Sequence, residues 1–228
     1  MPNGTAQQAL LVDFAGTLFL PPGGQQWAKA AAASVQADLT AHDVLGLAAL
    51  LDSRFHHVRD PGRDLSPAAH RQSMLPVLES LVTDKTLARS LYDLQFTDDF
   101  WHPRHGARDL LRAANQRKLR VIVVSNVPWD IRPLFTRSGL RGQIHGFALS
   151  FEVGAEKPDE LIFQHALDLA RCAPSQAVFL GDDPVTDSGA LQLGIPVILI
   201  PPARDSTNEA LPMVATWLLS ASPVSGGY

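Results

Sequence analysis

The sequence has very little cysteine and contains no long apolar run. Cys172 is the one cysteine among 228 residues, so no disulfide can form within the chain. No apolar stretch approaches the ~20 residues that a membrane-spanning helix requires. The first residues also lack the basic start and apolar stretch of a secretion signal. We therefore expect a cytoplasmic protein in which Cys172 is a buried structural thiol.

The chain also lacks a strong charge of either sign. It has 19 basic and 23 acidic residues, and its formal net charge is −4. This balance gives no reason to expect a nucleic-acid or membrane-surface partner. Lysine is scarce, with residues only at positions 29, 85, 118 and 157. With 46% hydrophobic residues, the chain can still bury a sizeable core, as a monomer or as a homodimer.

Short apolar runs alternate with helical patterns over much of the chain. Without polar alternation, such runs are typical of strands that are covered on both faces. The predicted strands are Ala9–Val12, Val121–Val124, Phe147–Phe151, Ala177–Leu180 and Val197–Ile200. Amphipathic patterns predict helices over Ala107–Arg117, Asp159–Arg171 and Ser188–Leu193. This alternation predicts an α/β fold with a doubly wound parallel sheet, in which functional residues collect at the carboxyl ends of the strands.

A different composition interrupts this pattern between residues 21 and 98. The segment has no convincing strand and holds four helical patterns, at Gln25–Ala37, His42–Leu51, Pro67–Leu81 and Asp84–Phe96. We therefore predict an α/β core formed by residues 1–20 and 99–228, with a helical domain inserted at 21–98. The small and polar end, 220–228, is expected to be disordered.

Polar residues stand at the ends of the predicted strands. Each group alone is typical of a turn, a helix start or a solvated loop. The residues concerned are Asp13, Gly16 and Thr17, then Ser125 and Asn126, then Lys157, and finally Asp182, Asp183 and Asp187. Together, carboxylates on two strand ends predict a site for Mg²⁺, which prefers hard oxygen ligands. A hydroxyl, an amide and an ammonium beside them would surround a phosphate-sized anion, and an aspartate can act as the nucleophile of phosphoryl transfer.

These segments resemble the four motifs of the haloacid dehalogenase-like (HAD) hydrolase superfamily. DFAGTLF is similar to the first motif, VVSN to the second, the lysine of EKP to the third and GDDPVTD to the fourth. Their order and spacing match along the whole predicted core. The helical insertion resembles the type 1 cap of that superfamily, which implies that it closes over the site, excludes water and selects the substrate.

The resemblance implies a role for each matched residue. Asp13 would be the nucleophile and a Mg²⁺ ligand, Thr17 would orient its loop, and Gly16 would help to bind the phosphate. Ser125 would bind the transferring phosphoryl group in a pocket that Asn126 helps to shape. Lys157 would neutralise the charges of the nucleophile and the phosphoryl group. Asp182 would bind Mg²⁺, with Asp187 as a ligand or a support and Asp183 orienting its neighbours.

The sequence departs from the superfamily's phosphatase pattern at Ala15. An aspartate usually stands two residues after the nucleophile, where it protonates the leaving oxygen and then activates water. A methyl group transfers no proton, and general acid–base help is typically worth ~10²–10⁴-fold in rate. The main-chain carbonyl of Ala15 can still bind Mg²⁺, so the loss of the acid does not remove the predicted metal site.

Four explanations of Ala15 remain open. The leaving group can be a good one, as in an acyl phosphate, or the inserted domain can supply the proton from His56 or His57, which are otherwise expected in a solvated loop. The reaction can also differ from phosphate-ester hydrolysis. An alanine at this position resembles the motif of phosphonoacetaldehyde hydrolase, but that enzyme needs a cap lysine about forty residues after the nucleophile, which is absent here. The 2-haloacid dehalogenases also lack this aspartate, but they need no Mg²⁺. Finally, the site can bind phosphoryl groups without catalysis.

From these observations we predict a Mg²⁺-dependent hydrolase. The expected substrate is a small phosphorylated metabolite, hydrolysed through an aspartyl phosphate on Asp13. The identity of the substrate depends on residues of the inserted domain, and the sequence does not reveal it.

Overall fold

The computed structural model describes residues 7–54, 60–97, 99–201 and 209–220, except for the side chain of Arg54. The chain divides into two compact units. The first unit combines the residues up to Leu20 with those from Pro103 onward, and the second unit is Pro21–His102. The predicted end of the helical domain, between positions 98 and 99, lies four residues before the end of the second unit at His102.

The first unit is built on a five-stranded parallel sheet in the order β5-β4-β1-β6-β7. Its strands are β1 (Ala9–Val12), β4 (Arg120–Ser125), β5 (Gly146–Leu149), β6 (Ala177–Gly181) and β7 (Val197–Leu199). The predicted α/β fold class is therefore confirmed. The chain runs outward from β1 through β4 to β5 and then places β6 on the other side of β1. The strand order therefore reverses at β1 and β6, and sheets of this kind bind ligands outside the carboxyl ends of the strands at such a point.

Helices accompany the strands of the first unit. They are α5 (Ala107–Gln116), α6 (Arg132–Arg137), α7 (Ser150–Val153), α8 (Glu160–Ala170) and α9 (Ala210–Ser220), with 3₁₀ turns at Arg141–Gln143, Pro174–Gln176 and Asp187–Leu193. Two short strands, β2 (Phe19–Leu20) and β3 (His102–Pro103), form a separate pair. Among the described residues, no helix combines the length and the apolar character needed to cross a membrane.

The structure corrects the sequence prediction at three places in this unit. The predicted strand Phe147–Phe151 ends at Leu149, and Ser150 begins α7. The Ser150 hydroxyl accepts the N–H of Val127 and donates to the Val127 carbonyl. Helices α6 and α9 were not predicted. Ser220 closes α9 instead of beginning a tail, and residues 221–228 lie outside the described residues.

The apolar composition of β1 explains its central position. All four of its residues are at most 1% exposed, so the strand has neighbours on both faces as well as on both edges. Val12 pairs with Val123 on one side and with Leu180 on the other. The residue that follows Val12 is therefore placed between the ends of β4 and β6.

The second unit is helical. It contains α1 (Gly24–Ser34), α2 (Ala41–Arg54), α3 (Pro67–Leu81) and α4 (Lys85–Leu94), with a 3₁₀ turn at Arg63–Leu65. Trp27 lies in its core, 1% exposed, and its indole N–H donates to the Leu91 carbonyl at 3.0 Å. Ser66 and Asp84 begin α3 and α4 as N-caps, because their side chains accept backbone N–H groups of the first turn.

Candidate active site

Asp13 occupies the centre of the site because the sheet register puts it there. It follows Val12, and its N–H donates to the Leu180 carbonyl at 2.9 Å, which extends the pairing of β1 with β6 by one residue. Ser125 ends β4 on one side, and Asp182 follows β6 on the other. The parallel sheet thus brings three residues from separate parts of the sequence to one edge, as their positions at strand ends predicted.

Lys157 joins this edge from the loop before α8. Its ammonium donates to Asp13 Oδ1 and to Asp187 Oδ1, both at 2.6 Å. Lys157 is 4% exposed, Asp13 is 5% exposed and Asp187 is fully buried. The ammonium also lies 5.4 Å from the centre of the Phe179 ring. The lysine therefore holds two carboxylates from different segments in a nearly water-free environment.

The turn after Asp13 is shaped around the Asp182 carboxylate. Gly16 adopts a φ of +86°, and a Cβ atom at this position would collide with the carboxylate of Asp182. The Thr17 hydroxyl donates to Asp182 Oδ1 at 3.1 Å. Gly181 allows an equally close approach, since a Cβ atom there would collide with the Asp187 carboxylate. Both glycines are therefore required by the close packing of the aspartates.

Asn126 is bound to the backbone of Lys157. Its side-chain amide donates to the Lys157 carbonyl at 2.9 Å, and its side-chain oxygen accepts the Lys157 N–H at 2.7 Å. The structure therefore uses both polar atoms of this side chain to fix the loop that carries the lysine. Ser125, one residue earlier, is 1% exposed at the end of β4.

Burial and mutual repulsion raise the pKa of two carboxyl groups of the site, those of Asp13 and Asp182. Burial first, and then the charges of Asp187 and Asp182, raise the pKa of Asp13 to about 7, although Lys157 acts against this shift. Burial also raises the pKa of Asp182, against the hydrogen bond from Thr17. Burial alone would lower the pKa of Lys157, but the charges of Asp13 and Asp187 raise it above its ordinary value.

The donor set fits a divalent cation. Asp13, Asp182 and Asp187 each offer a carboxylate oxygen, and these oxygens lie within 4.8 Å of one another. When ionised, they carry three negative charges against the single positive charge of Lys157, so a second cation would relieve their repulsion. Hard oxygen donors of this kind are those that Mg²⁺ selects.

The remaining predicted residues take other places. Asp183 is not part of the cluster of three carboxylates, and its side chain accepts the N–H of Val185 at 2.9 Å within its own loop. Ala15 is exposed, and its methyl side chain has no proton to donate. His56 and His57 lie outside the described residues.

Sequence reasoning missed Arg104. This residue is 2% exposed, and its guanidinium donates to the carbonyl of Gly16 at 2.6 Å and to that of Pro201 at 2.9 Å. In the sequence it stands in HPRHGARDLL, where it is typical of a polar helix start. The pattern gave no signal for it, because a contact with Gly16 across 88 positions leaves no local trace.

The chain is similar to known proteins over most of its length. A family model described as haloacid dehalogenase-like hydrolase matches residues 7–194. The human "Haloacid dehalogenase-like hydrolase domain-containing protein 3" is 33% identical over 147 residues, which cover 58% of this chain and 59% of that protein. The mouse protein of the same name is 30% identical over 145 residues, covering 62% and 54%. The chain thus matches little more than half the length of these curated relatives.

A solved structure has a similar three-dimensional fold. The HAD phosphatase of Thermococcus onnurineus has a TM-score of 0.56 at 16% identity, covering 87% of this chain and 88% of its own. At this identity the likeness shows a shared fold alone.

Proposed function

The chain belongs to the haloacid dehalogenase-like hydrolase family, and from this premise we propose that it is a Mg²⁺-dependent phosphatase of small phosphorylated molecules. The observation that carries the proposal is the environment of Asp13. Its carboxylate lies 2.6 Å from the Lys157 ammonium and shares a cluster with the carboxylates of Asp182 and Asp187. Phosphoryl transfer depends on such positioning and charge neutralisation more than on any other contribution of the protein.

In the proposed reaction Asp13 is the nucleophile. Its carboxylate oxygen attacks phosphorus, and a new O–P bond forms while the bond from phosphorus to the leaving oxygen breaks. The leaving group departs with the electron pair of that bond. Water then attacks the phosphorus of the aspartyl phosphate, releases inorganic phosphate and restores the carboxylate of Asp13.

The other residues hold charge and position during these steps. Lys157 lies beside Asp13 and would neutralise the negative charge that the phosphoryl group adds to the site. Ser125, at the adjacent strand end, offers a hydroxyl to the phosphoryl oxygens. Asn126 keeps the Lys157 loop in place through its two hydrogen bonds to the lysine backbone.

Asp13, Asp182 and Asp187 would hold the metal, together with the main-chain carbonyl of Ala15. Bound Mg²⁺ would supply positive charge that draws phosphate oxygens towards the nucleophile. The same charge would keep Asp13 ionised against the effect of burial, which raises the pKa of this residue to about 7.

The nature of residue 15 defines the leaving groups that suit this site. An alkoxide leaving group needs a proton as its bond to phosphorus breaks, and the alanine side chain has none to give. A carboxylate released from an acyl phosphate needs no proton. We therefore propose that activated phosphates, acyl phosphates above all, are hydrolysed fastest.

A leaving-group series tests this proposal. The protein with Mg²⁺ is given acetyl phosphate, aryl phosphates of graded leaving-group pKa, and alkyl or sugar phosphates. We expect kcat/KM to fall steeply as the pKa of the leaving group rises. A shallow dependence would show that another group donates the proton, and the preference for activated substrates would then be wrong.

The Asp13→Asn variant is the control for the mechanism. It keeps the size of the side chain and removes the nucleophilic carboxylate, so we expect loss of turnover on every substrate of the series. Full activity of this variant would contradict the aspartyl-phosphate mechanism.

Three further assays separate the proposal from its alternatives. Hydrolysis of 2-chloropropionate without Mg²⁺ would indicate a dehalogenase. Borohydride trapping of a lysine adduct with phosphonoacetaldehyde would indicate an imine-forming hydrolase. Binding of phosphate without turnover of any compound would favour a regulatory binding protein.

A further inference from the structure

Arg104 links three segments of the first unit from a buried position. Its backbone N–H donates to the Leu18 carbonyl at 2.8 Å. The two terminal nitrogens of its guanidinium donate to the carbonyls of Gly16 and Pro201. Two of these three bonds go to the turn that follows Asp13. The third goes to the end of the segment after β7.

The contact with Gly16 controls the direction of one peptide group. Gly16 has a φ of +86°, and because glycine has no side chain, its backbone can also adopt other conformations. The Arg104 guanidinium fixes the carbonyl of this glycine at 2.6 Å. Because the peptide bond is planar, the orientation of the Gly16 carbonyl also fixes the N–H of Thr17.

Thr17 carries the effect to the carboxylate cluster. Its hydroxyl donates to Asp182 Oδ1 at 3.1 Å, and the Asp182 carboxylate packs directly against Gly16. A turn in another orientation would remove this hydrogen bond and open the space in which the carboxylate lies. Asp182 would then lose its fixed distance to Asp13 and Asp187.

We propose that Arg104 is a positioning residue of the metal site, which acts through the Gly16–Thr17 peptide on the carboxylate of Asp182. This inference rests on the proposed function, because it assumes that the three carboxylates hold Mg²⁺. Arginine suits the task since its two terminal nitrogens reach two carbonyls at once, whereas a lysine offers one nitrogen.

The test compares Arg104→Met and Arg104→Lys with Arg108→Met. Arg108, on α5 and outside the site, is the control because its guanidinium also donates to two carbonyls, those of Ser138 at 2.6 Å and Gly139 at 3.4 Å. It differs from Arg104 in being exposed. Mg²⁺ affinity is measured by calorimetry on each full-length protein, at a temperature where circular dichroism shows it folded. Amide exchange of residues 14–19 is followed by mass spectrometry.

We expect Arg104→Met to weaken Mg²⁺ binding by ~10-fold or more, as loss of a residue that orients a metal ligand commonly does. Arg104→Lys should show a smaller loss, and Arg108→Met should bind Mg²⁺ like the wild type. Exchange in the segment 14–19 should be faster in Arg104→Met than in Arg108→Met.

Two results would overturn the inference. Unchanged Mg²⁺ affinity in a folded Arg104→Met protein would show that the arginine has a structural role only. Unchanged exchange at residues 14–19 in Arg104→Met would show that the arginine does not order the turn. If Arg104→Met does not fold, the same two comparisons are made with Arg104→Lys, where the expected losses are smaller but must still exceed those of Arg108→Met. If the wild type binds no Mg²⁺, the proposed metal site fails first, and the positioning role falls with it.

Discussion

Gly16 illustrates how a single residue can combine two separate requirements. Its φ of +86° is a conformation that side chains disfavour, and the Asp182 carboxylate fills the place of a Cβ atom. Gly154 has a similar φ of +76°, but no atom lies within 4 Å of the place that its Cβ would take. The pair therefore separates backbone strain from displacement of the carboxylate.

We predict that Gly16→Ala abolishes Mg²⁺ binding and turnover, whereas Gly154→Ala keeps both. The strain of a left-handed conformation costs roughly 1–2 kcal/mol in either variant. Only Gly16→Ala must also move Asp182 away from its partners. Urea unfolding and Mg²⁺ titration of both variants measure the two effects, and equal losses of Mg²⁺ affinity would refute the argument.

At the scale of elements, the end of α8 carries avoidable strain. Arg171 follows Ala170 with a φ of +56°, and its N–H bonds the Asp168 carbonyl at 3.2 Å in a C-terminal cap. Glycine is the residue that usually occupies this left-handed position. The arginine is exposed, so its side chain is not needed for the core.

We predict that Arg171→Gly stabilises the protein by about 0.5–1 kcal/mol. The relief of left-handed strain exceeds the additional entropy that glycine gives to the unfolded chain. Arg171→Ala is the control, since it removes the charge but keeps the Cβ atom and should bring no gain. Urea unfolding of the three proteins gives the comparison, and a stabilised alanine variant would point to the charge instead.

Elements also show how far the sequence alone can lead. The strands β1, β4 and β6 were predictable because each is a short apolar run that ends in polar residues, and their parallel pairing explains why Asp13, Ser125 and Asp182 meet. The end of β5 was not, because Ser150, the first residue of α7, bonds Val127 at a distance of 23 positions, and the local sequence does not reveal this contact. Arg104 escaped detection for the same reason.

At the scale of the whole molecule, the two units should respond to different conditions. The three carboxylates of the proposed metal site all belong to the first unit. A ligand stabilises the folded form to which it binds, by about 2.7 kcal/mol when its concentration is 100 times Kd. The described residues of the helical unit contribute no ligand to this cluster.

We predict that Mg²⁺ slows amide exchange in the strands of the first unit and leaves the helices of the second unit largely unchanged. Exchange is compared in Mg²⁺ and in EDTA by mass spectrometry. Asp182→Asn should remove the difference, because it takes away one of the three carboxylates. Equal protection of the two units by Mg²⁺ would contradict the location of the site.

The helical unit should respond to pH through His70. This residue is 5% exposed, and its Nδ1 lies 3.0 Å from the Tyr92 hydroxyl. Burial first, and then the charge of Arg63, lower the pKa of His70 to about 4, against 6.5 for the unperturbed side chain. Between these values the unfolded chain binds a proton that the folded chain does not bind. The stability is therefore complete above pH 6.5 and is lost as the pH falls towards 4.

We predict that the free energy of unfolding of this unit drops by about 2 kcal/mol between pH 7 and pH 5. Burial also raises the pKa of the neighbouring Asp64, which acts in the opposite direction, so the measurement needs a reference that retains Asp64. His70→Gln is that reference, because it removes only the titrating imidazole. Amide exchange in α3 and α4 reports the unit by itself, and we expect the stability of the wild type relative to His70→Gln to fall by about 2 kcal/mol from pH 7 to pH 5. A difference that stays constant across this range would show that His70 does not control the acid sensitivity of the helices.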